Sequence, residues 1–394
     1  MAGAAKQDIA ALPAIDHAAY ECVQTIEALD QWIARAFAAR LVAFDTETSA
    51  LDAMQAQLVG ISLCVGPNQA CYIPLGHGSQ DMFAEVPQQI AHDQALARLK
   101  PLLESDAVLK IGLNAKYDLN VLARAGAAVG GIAVGPIDDT MVMSFDLDAG
   151  RAEEGPNGFT GGGHGMDELA RRHLGHSCIA FKDVCGTGKK AISFGEVPLP
   201  QATAYAAEDA DVTWRLHHLF KPRLAQEAST RIYERVDRPL IPVVAQMERH
   251  GIRVDREALA GLSTEFAARM AQLEAEIHGL AGTPFTIGSP KQLGEILFEQ
   301  MGLKGGKKGK SGQYSTDQGV LEKLAAEGST LSARVLDWRQ LAKLRSTYTE
   351  ALQAAINPAT ERVHTSYSLV GAQTGRLSST EPNLQNIPIR TDIG

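Results

Sequence analysis

Three short stretches of this chain carry carboxylates at spacings that suit metal chemistry. Asp45-Thr46-Glu47 follows the apolar run 41–44, which reads as a strand. Residues two apart on a strand point to the same face, so both carboxylates can meet one ion. Asn114-Ala115-Lys116-Tyr117-Asp118 sits where a strand-like run, 108–113, gives way to helical spacing. Tyr205-Ala206-Ala207-Glu208-Asp209 lies within a helical stretch, 200–220. Residues four apart on a helix share a face, so Tyr205 and Asp209 look the same way. Each stretch alone has a plainer meaning. A DxE pair is common at solvated strand ends, and Asp118 suits the first turn of a helix, where the dipole favours a carboxylate. Tyr205 could be core and Asp209 could pair with Arg215, leaving Glu208 and Asp211 as solvated charges. Together the stretches are more specific. Four carboxylates converging on one sheet edge repel unless cations compensate them. All-oxygen ligands suit Mg2+ or Mn2+ better than zinc. Two such ions stabilise the attacking and leaving oxygens of a phosphodiester displacement, and a tyrosine facing them can orient the attacking water.

The elements that must position these groups alternate strand and helix. Apolar segments 58–65 and 70–75, parted by Gly66-Pro67-Asn68, join 41–44 in an antiparallel meander. Helices are expected at 93–103 and 116–126, then a short strand and a helix around 139–145. The expected fold class is α/β, a mixed sheet with a hairpin edge and later βα units. A Gly-rich loop without period spans 149–165, followed by helical segments at 166–174 and 200–220. From about 223 long helices dominate. A basic loop, 305–312, precedes a long helix at 331–355 and a strand-like run at 362–370. Two domains are expected, 1–222 and 223–394.

The 394 residues, 45% hydrophobic and 21% charged, suffice for more than one packed core. No apolar run is long enough to span a bilayer, and residues 1–12 lack the pattern of a secretory leader. Five cysteines without a CxxC pair read as buried and reduced, so a cytoplasmic protein is expected. His173, His176, Cys178 and Cys185 fall close together, but structural zinc sites show tighter paired spacing. The net charge of −9 is uneven: residues 1–220 hold 15 Lys+Arg against 27 Asp+Glu, a balance of −12. Residues 221–394 hold 22 against 19, a balance of +3. The acidic half suits a site that gathers divalent cations; the basic half is better placed to grip a nucleic-acid backbone.

The segments FDTETSALD, NAKYDLNVL and YAAEDADVT, in this order, resemble the three exonuclease motifs of the bacterial DNA polymerase I family (family A DNA polymerases). The resemblance implies a ribonuclease-H-like sheet and 3′→5′ proofreading chemistry with Mg2+ or Mn2+, zinc being possible in vitro. It implies that Asp45, Glu47 and Asp209 hold one ion, that Asp118 joins Asp45 at a second, and that Tyr205 and Glu47 position the water. Leu51 and Phe181 match positions that wedge and stack at 3′-terminal bases, and Thr48, Asn114 and Tyr117 match substrate contacts. Where the family usually has glutamine before the asparagine, this chain has Leu113. Gly186-Thr187-Gly188-Lys189-Lys190 lacks phosphate-loop spacing and matches a GxGK segment of the same exonuclease domain. MERHGIRVD, SPKQLGEILF, LAKLRSTYTEAL and TGRLSSTEPNLQNIPIR extend the likeness into the polymerase thumb and the start of the palm. Arg376, Asn383, Gln385, Asn386 and Arg390 then match residues near the primer–template. The family's DYSQIELR-like and HDE-like segments, which carry the polymerase carboxylates, do not occur in these 394 residues. Nucleotide addition by this chain alone is therefore not expected, and the natural gene is expected to continue past Gly394. The expected partners are a single-stranded DNA 3′ end and a primer–template, with no membrane, for a monomeric, nucleoid-associated bacterial enzyme. The alternatives are an RNA-trimming exonuclease, which the thumb-like segments disfavour, and a DNA-binding fragment with a lapsed exonuclease, which the four retained carboxylates disfavour.

Overall fold

The computed structural model of the chain describes residues 12–78, 86–149, 152–155, 158–161, 163–309 and 312–387. It divides into two compact units, Met1–His250 with Tyr367–Ser378, and Gly251–Ser366 with Ser379–Gly394.

The first unit is built on a six-stranded mixed sheet in the order β1-β4-β3-β2-β5-β6. The strands are β1 (Glu21–Cys22), β2 (Leu41–Thr48), β3 (Leu58–Gly66), β4 (Gln69–Pro74), β5 (Leu109–Gly112) and β6 (Ile137–Asp139). β2, β3 and β4 form the expected antiparallel meander. β5 and β6 continue beside β2 in parallel, the βα part of the expectation. β1 was not foreseen; it pairs in parallel with β4 at the edge. β2 therefore lies inside the sheet with a partner on each side.

Alternation along β2 sends Val42 and Phe44 into the main core with Leu29, Trp32 and Ala36 of the helix Ile26–Ala39. That helix opens at Thr25, whose hydroxyl accepts from the Ala28 amide at 3.3 Å, and closes at Arg40 with φ 58°. Burying each of its large side chains contributes about 1.5–3 kcal/mol. The other face of β2 begins with Ala43, which meets Ala207 and Ala210 of the long helix Leu199–Gln226. Ala202 and Ala206 of the same helix pack with Val59 and Tyr72. Four alanines let this helix approach the sheet closely, so short side chains on it can reach β2.

Within the first unit, the described parts of 149–165 form an antiparallel hairpin, Ala152–Gly155 with Gly158–Gly161, in place of the expected loop. Strands so short and glycine-rich leave no period-two signal.

The second unit is mostly helical, with Leu273, Ile277, Leu293, Leu321, Leu331, Val335 and Leu341 in its core. Its helix Arg256–Ala281 is capped by Asp255, which accepts from the Ala258 amide at 3.0 Å. The expected helix at 331–355 is divided into Thr330–Leu344, a π-type turn Arg345–Glu350 and Ala351–Ala354. The strand-like run 362–370 is likewise broken, into Arg362–Val363 and Ser366–Ser368. In the basic loop 305–312, Lys308 and Tyr314 make an isolated bridge, and 310–311 lie outside the described residues. No helix among the described residues is long and apolar enough to cross a membrane.

Candidate active site

Asp45 and Glu47 stand on the Ala43 face of β2, two residues apart, as strand periodicity requires. Asp209 comes from the long helix that this face supports. Ligating oxygens of the three lie within 4.8 Å of one another. Tyr205 stands one turn before Asp209 on the same face of the helix, and its hydroxyl opposes the rise of the Asp209 carboxyl. A close approach underlies this arrangement. Glu47 pairs across the sheet with Gly60, where a Cβ would stand 2.1 Å from the Tyr72 hydroxyl oxygen. The Tyr72 ring uses that space, and its hydroxyl lies 2.7 Å from His77 Nε2.

Asp118 sits in the first turn of the helix Lys116–Ala125, 2% exposed. Its Oδ1 accepts from the Thr46 amide at 3.0 Å and the Thr46 hydroxyl at 2.5 Å. Thr46, between the two β2 acids, thus ties the third acidic element to the same strand. The loop before the helix is held by Asp139, whose carboxylate accepts from the amides of Asn114 (3.2 Å) and Ala115 (2.8 Å). Asn114 takes the left-handed conformation there, with φ 59°. On the helix itself, Lys116 and Asn120 bind the Glu248 carboxylate at 2.8 and 3.0 Å.

Burial holds all four carboxyls well above the usual carboxylate range, and mutual repulsion adds to it. Asp45 is raised further by Asp209, Glu47 by Asp45, Asp209 and Asp118, and Asp118 by Asp45 against the opposing Thr46 bonds. Asp209 is raised by Glu208 and Asp167. Among the described residues no lysine or arginine is a leading influence on any of the four. Glu47 Oε1 is buried without a hydrogen-bond partner among the described residues. An all-oxygen donor set with excess negative charge and an unsatisfied oxygen fits a hard divalent cation.

The structure places the other residues singled out from the sequence on several elements. Thr48 Oγ1 and Tyr117 Oη lie 2.6 Å apart, and Tyr117 also donates to the Ala50 carbonyl at 2.6 Å. Leu51 is 92% exposed and Phe181 53% exposed. Phe181 is near-parallel to buried Phe194 (centroids 6.4 Å, 17°) and edge-on to Tyr205. Arg376 is exposed, in the Tyr367–Ser378 part of the first unit. In the second unit Asn383, Gln385 and Asn386 are exposed. Asn383 and Asn386 line a cleft of about 590 Å3 with Lys343, Thr347 and Tyr348, and the Tyr348 hydroxyl donates to the Asn386 carbonyl. Arg390 lies outside the described residues.

Two of the plainer alternatives fail. Arg215 pairs with Asp211 at 2.8 Å, not with Asp209. Glu208 and Asp211 are fully buried rather than solvated. Nor do His173, His176, Cys178 and Cys185 gather: His173 is edge-on to Phe220, Cys185 packs near Phe194, and His176 binds Glu208. Asp167, Phe194, Asp139 and Thr46 are neighbours of the site that no motif announced. Of these only Thr46 had a sequence signal, its place inside the DxE pair.

The sequence profile described as 3′-5′ exonuclease matches residues 20–225, and that of DNA polymerase family A matches 256–394. The DNA polymerase I of Rhizobium leguminosarum is 51% identical over all of this chain and 38% of its own length. That of Pseudomonas aeruginosa is 44% identical over 95% of the chain and 39% of its own length. The chain thus spans about two-fifths of the length of these relatives. Among solved structures, the POL domain of Pol1 from M. smegmatis, in complex with DNA primer-template and dNTP, aligns with a TM-score of 0.70. It is 25% identical and covers 95% of this chain and 57% of its own. With an exonuclease segment over more than half its length and a polymerase segment after it, the chain belongs to the 3′-5′ exonuclease family of the family A DNA polymerases.

Proposed function

We propose that this chain is a two-metal 3′→5′ exodeoxyribonuclease that removes nucleoside monophosphates from DNA 3′ ends, the proofreading activity of a DNA polymerase I. The observation that carries this reading is the meeting of Asp45, Glu47 and Asp209 within 4.8 Å, with no ion pair to a basic side chain among the described residues. Asp45, Glu47 and Asp209 would hold one Mg2+ or Mn2+ ion, and Asp118 with Asp45 a second. Bound there, such ions supply positive charge to the phosphate oxygens and a water that ionises near neutral pH. The Tyr205 hydroxyl, on the same helix face as Asp209, and Glu47 Oε1 would orient a water towards phosphorus. The phosphorus–O3′ bond of the penultimate nucleotide breaks, and the terminal nucleotide leaves with its 5′-phosphate. Leu51 and Phe181 meet the last bases through apolar and aromatic surface, which tolerates any sequence. Thr48, Asn114 and Tyr117 contact the sugar and backbone of the same strand.

Residues 1–222 form the ribonuclease-H-like exonuclease domain in this reading, and 223–394 the thumb and first part of the palm. Arg376, Asn383, Gln385, Asn386 and Arg390 then face primer–template DNA, positioning without reading sequence. The protein acts as a monomer in the bacterial cytoplasm. The test is incubation of the chain with 5′-labelled single-stranded DNA, Mg2+ or Mn2+, and an EDTA control. A ladder shortening from the 3′ end only with metal is expected. A folded chain that leaves the label at full length would overturn the reading.

A further inference from the structure

We propose that His17, His176 and Glu208 form a second metal site, separate from the exonuclease carboxylates and suited to a transition-metal ion such as Zn2+. Glu208 precedes Asp209 on the long helix, and helical geometry turns it about 100° away from that neighbour. Its carboxylate is fully buried. Oε1 lies 2.7 Å from Nε2 of His17 and 2.8 Å from Nε2 of His176. Oε2 accepts from the Ile179 amide at 2.6 Å. Nitrogen and oxygen ligand atoms of all three residues fall within 4.8 Å of one another. The His17 and His176 side chains are 40% and 25% exposed, so the cluster opens to solvent on the imidazole side only.

The chemistry of the donors separates this cluster from its neighbour. Two imidazoles and one carboxylate are a ligand set of zinc centres with an open fourth position, whereas Mg2+ prefers oxygen alone. A tetrahedral ion about 2.0–2.1 Å from each donor needs donors roughly 3.3 Å apart. The imidazoles would have to withdraw from Oε1 by about half an ångström, towards the solvent-facing side where they have room. Glu208 need not move: the Ile179 amide on its second oxygen fixes the carboxylate, as second-layer partners do for metal ligands. Adjacent residues 208 and 209 would then serve two sites that sort metals by ligand type.

Placement gives the ion a structural task. His17 lies in the short turn His17–Ala19, held to the long helix also through Tyr20, whose hydroxyl donates to Asp211 at 2.9 Å. His176 follows the π-type turn Ala170–Leu174. An ion held by all three residues clamps two sequence-distant segments onto the helix that presents Tyr205 and Asp209. Hydrogen bonds alone could do the same work, and metal uptake distinguishes the two.

The experiment uses the full chain, stripped with EDTA and dialysed against micromolar Zn2+ in millimolar Mg2+, with bound metal measured by atomic emission. One Zn2+ per chain is expected in the parent and in an Asp45→Asn, Glu47→Gln variant, and none in a His17→Gln, His176→Gln variant. Glutamine can still donate to Glu208, which preserves the tether while removing the ligands; circular dichroism checks the fold. Zn2+ at a hundred times its dissociation constant should raise the parent's melting temperature by roughly 5 °C and leave the histidine variant unchanged. Zinc absent from the parent, or retained by the folded histidine variant, overturns the proposal. So does zinc lost only from the Asp45→Asn, Glu47→Gln variant, which would assign it to the exonuclease carboxylates.

Discussion

Asp45, Glu47, Asp118 and Asp209 each occupy a place that is costly for a carboxylate: Glu47 and Asp118 are buried and Asp45 and Asp209 half-buried, all beside other acids and without a basic partner among the described residues. Such strain at a site is offset by the ligand it awaits, and relieving it should trade activity for stability. Asp45→Asn or Asp209→Asn is therefore expected to abolish 3′ cleavage while raising stability in EDTA by roughly 1–3 kcal/mol. Added Mg2+ should raise the melting temperature of the parent but not of either variant. A variant less stable than the parent in EDTA would show that these carboxylates hold the fold and are not poised for a cation. Tyr205 makes a narrower prediction. Its ring packs with Phe181 and Phe194, so Tyr205→Phe keeps the packing and loses only the hydroxyl. Single-turnover cleavage should slow by about 10–100-fold with Mg2+ affinity unchanged. A parallel fall in Mg2+ affinity would instead make the hydroxyl a prop for the ligand.

At the scale of elements, the site depends on how closely the layers approach. Gly60 leaves the space that the Tyr72 ring fills beneath Glu47. Gly60→Ala would force that buried ring aside, at a cost of about 1–3 kcal/mol, and slow cleavage by displacing Glu47. Normal cleavage by a Gly60→Ala chain of unchanged stability would refute this close-packing account. The meander, the βα units and the three acidic stretches were legible because each is local: apolar runs, a Gly-Pro-Asn turn, i+2 and i+4 spacing. The helix Ile26–Ala39 carried its own signals, Thr25 as a cap and Leu29, Trp32 and Ala36 on one face, but no chemistry drew attention to it. β1 is two residues long and has no pattern to read. The burial of Glu208 and Asp211 was illegible for a different reason. Their partners His17 and Tyr20 are 191 residues away in each case, and no local spacing announces such a meeting.

Across the whole chain, the acid excess of the first 220 residues raises the question of where the cations go. In the first unit several of them pair with structural carboxylates. Arg215 binds Asp211, Arg223 binds Asp148, and Lys116 binds Glu248. Asp138 collects two, Lys221 at 3.0 Å and Arg238 at 2.8 Å, with the His217 ring at 2.9 Å and the Tyr233 hydroxyl at 3.1 Å. Cations committed to these positions leave the exonuclease acids to attract metal. Asp138 also sets a pH limit on the unit. Burial by itself would push its carboxyl up, but His217 and Lys221 outweigh that and hold it at about 2, below the ordinary 3.8. A carboxyl depressed on folding contributes its stability above the unfolded value and loses it as pH falls through the folded one. About 2 kcal/mol should therefore disappear between roughly pH 4 and pH 2. Asp138→Asn leaves those cations short of a partner and is expected to cost about 3–5 kcal/mol at neutral pH. The gap between parent and variant should then narrow by about 2 kcal/mol on acidification through that window. Hydrogen exchange at the β6 amides is the suitable readout, because a chain of two units need not unfold in one step. A gap that stays constant down to pH 2 would mean that Asp138 is held by its geometry and not by its charge.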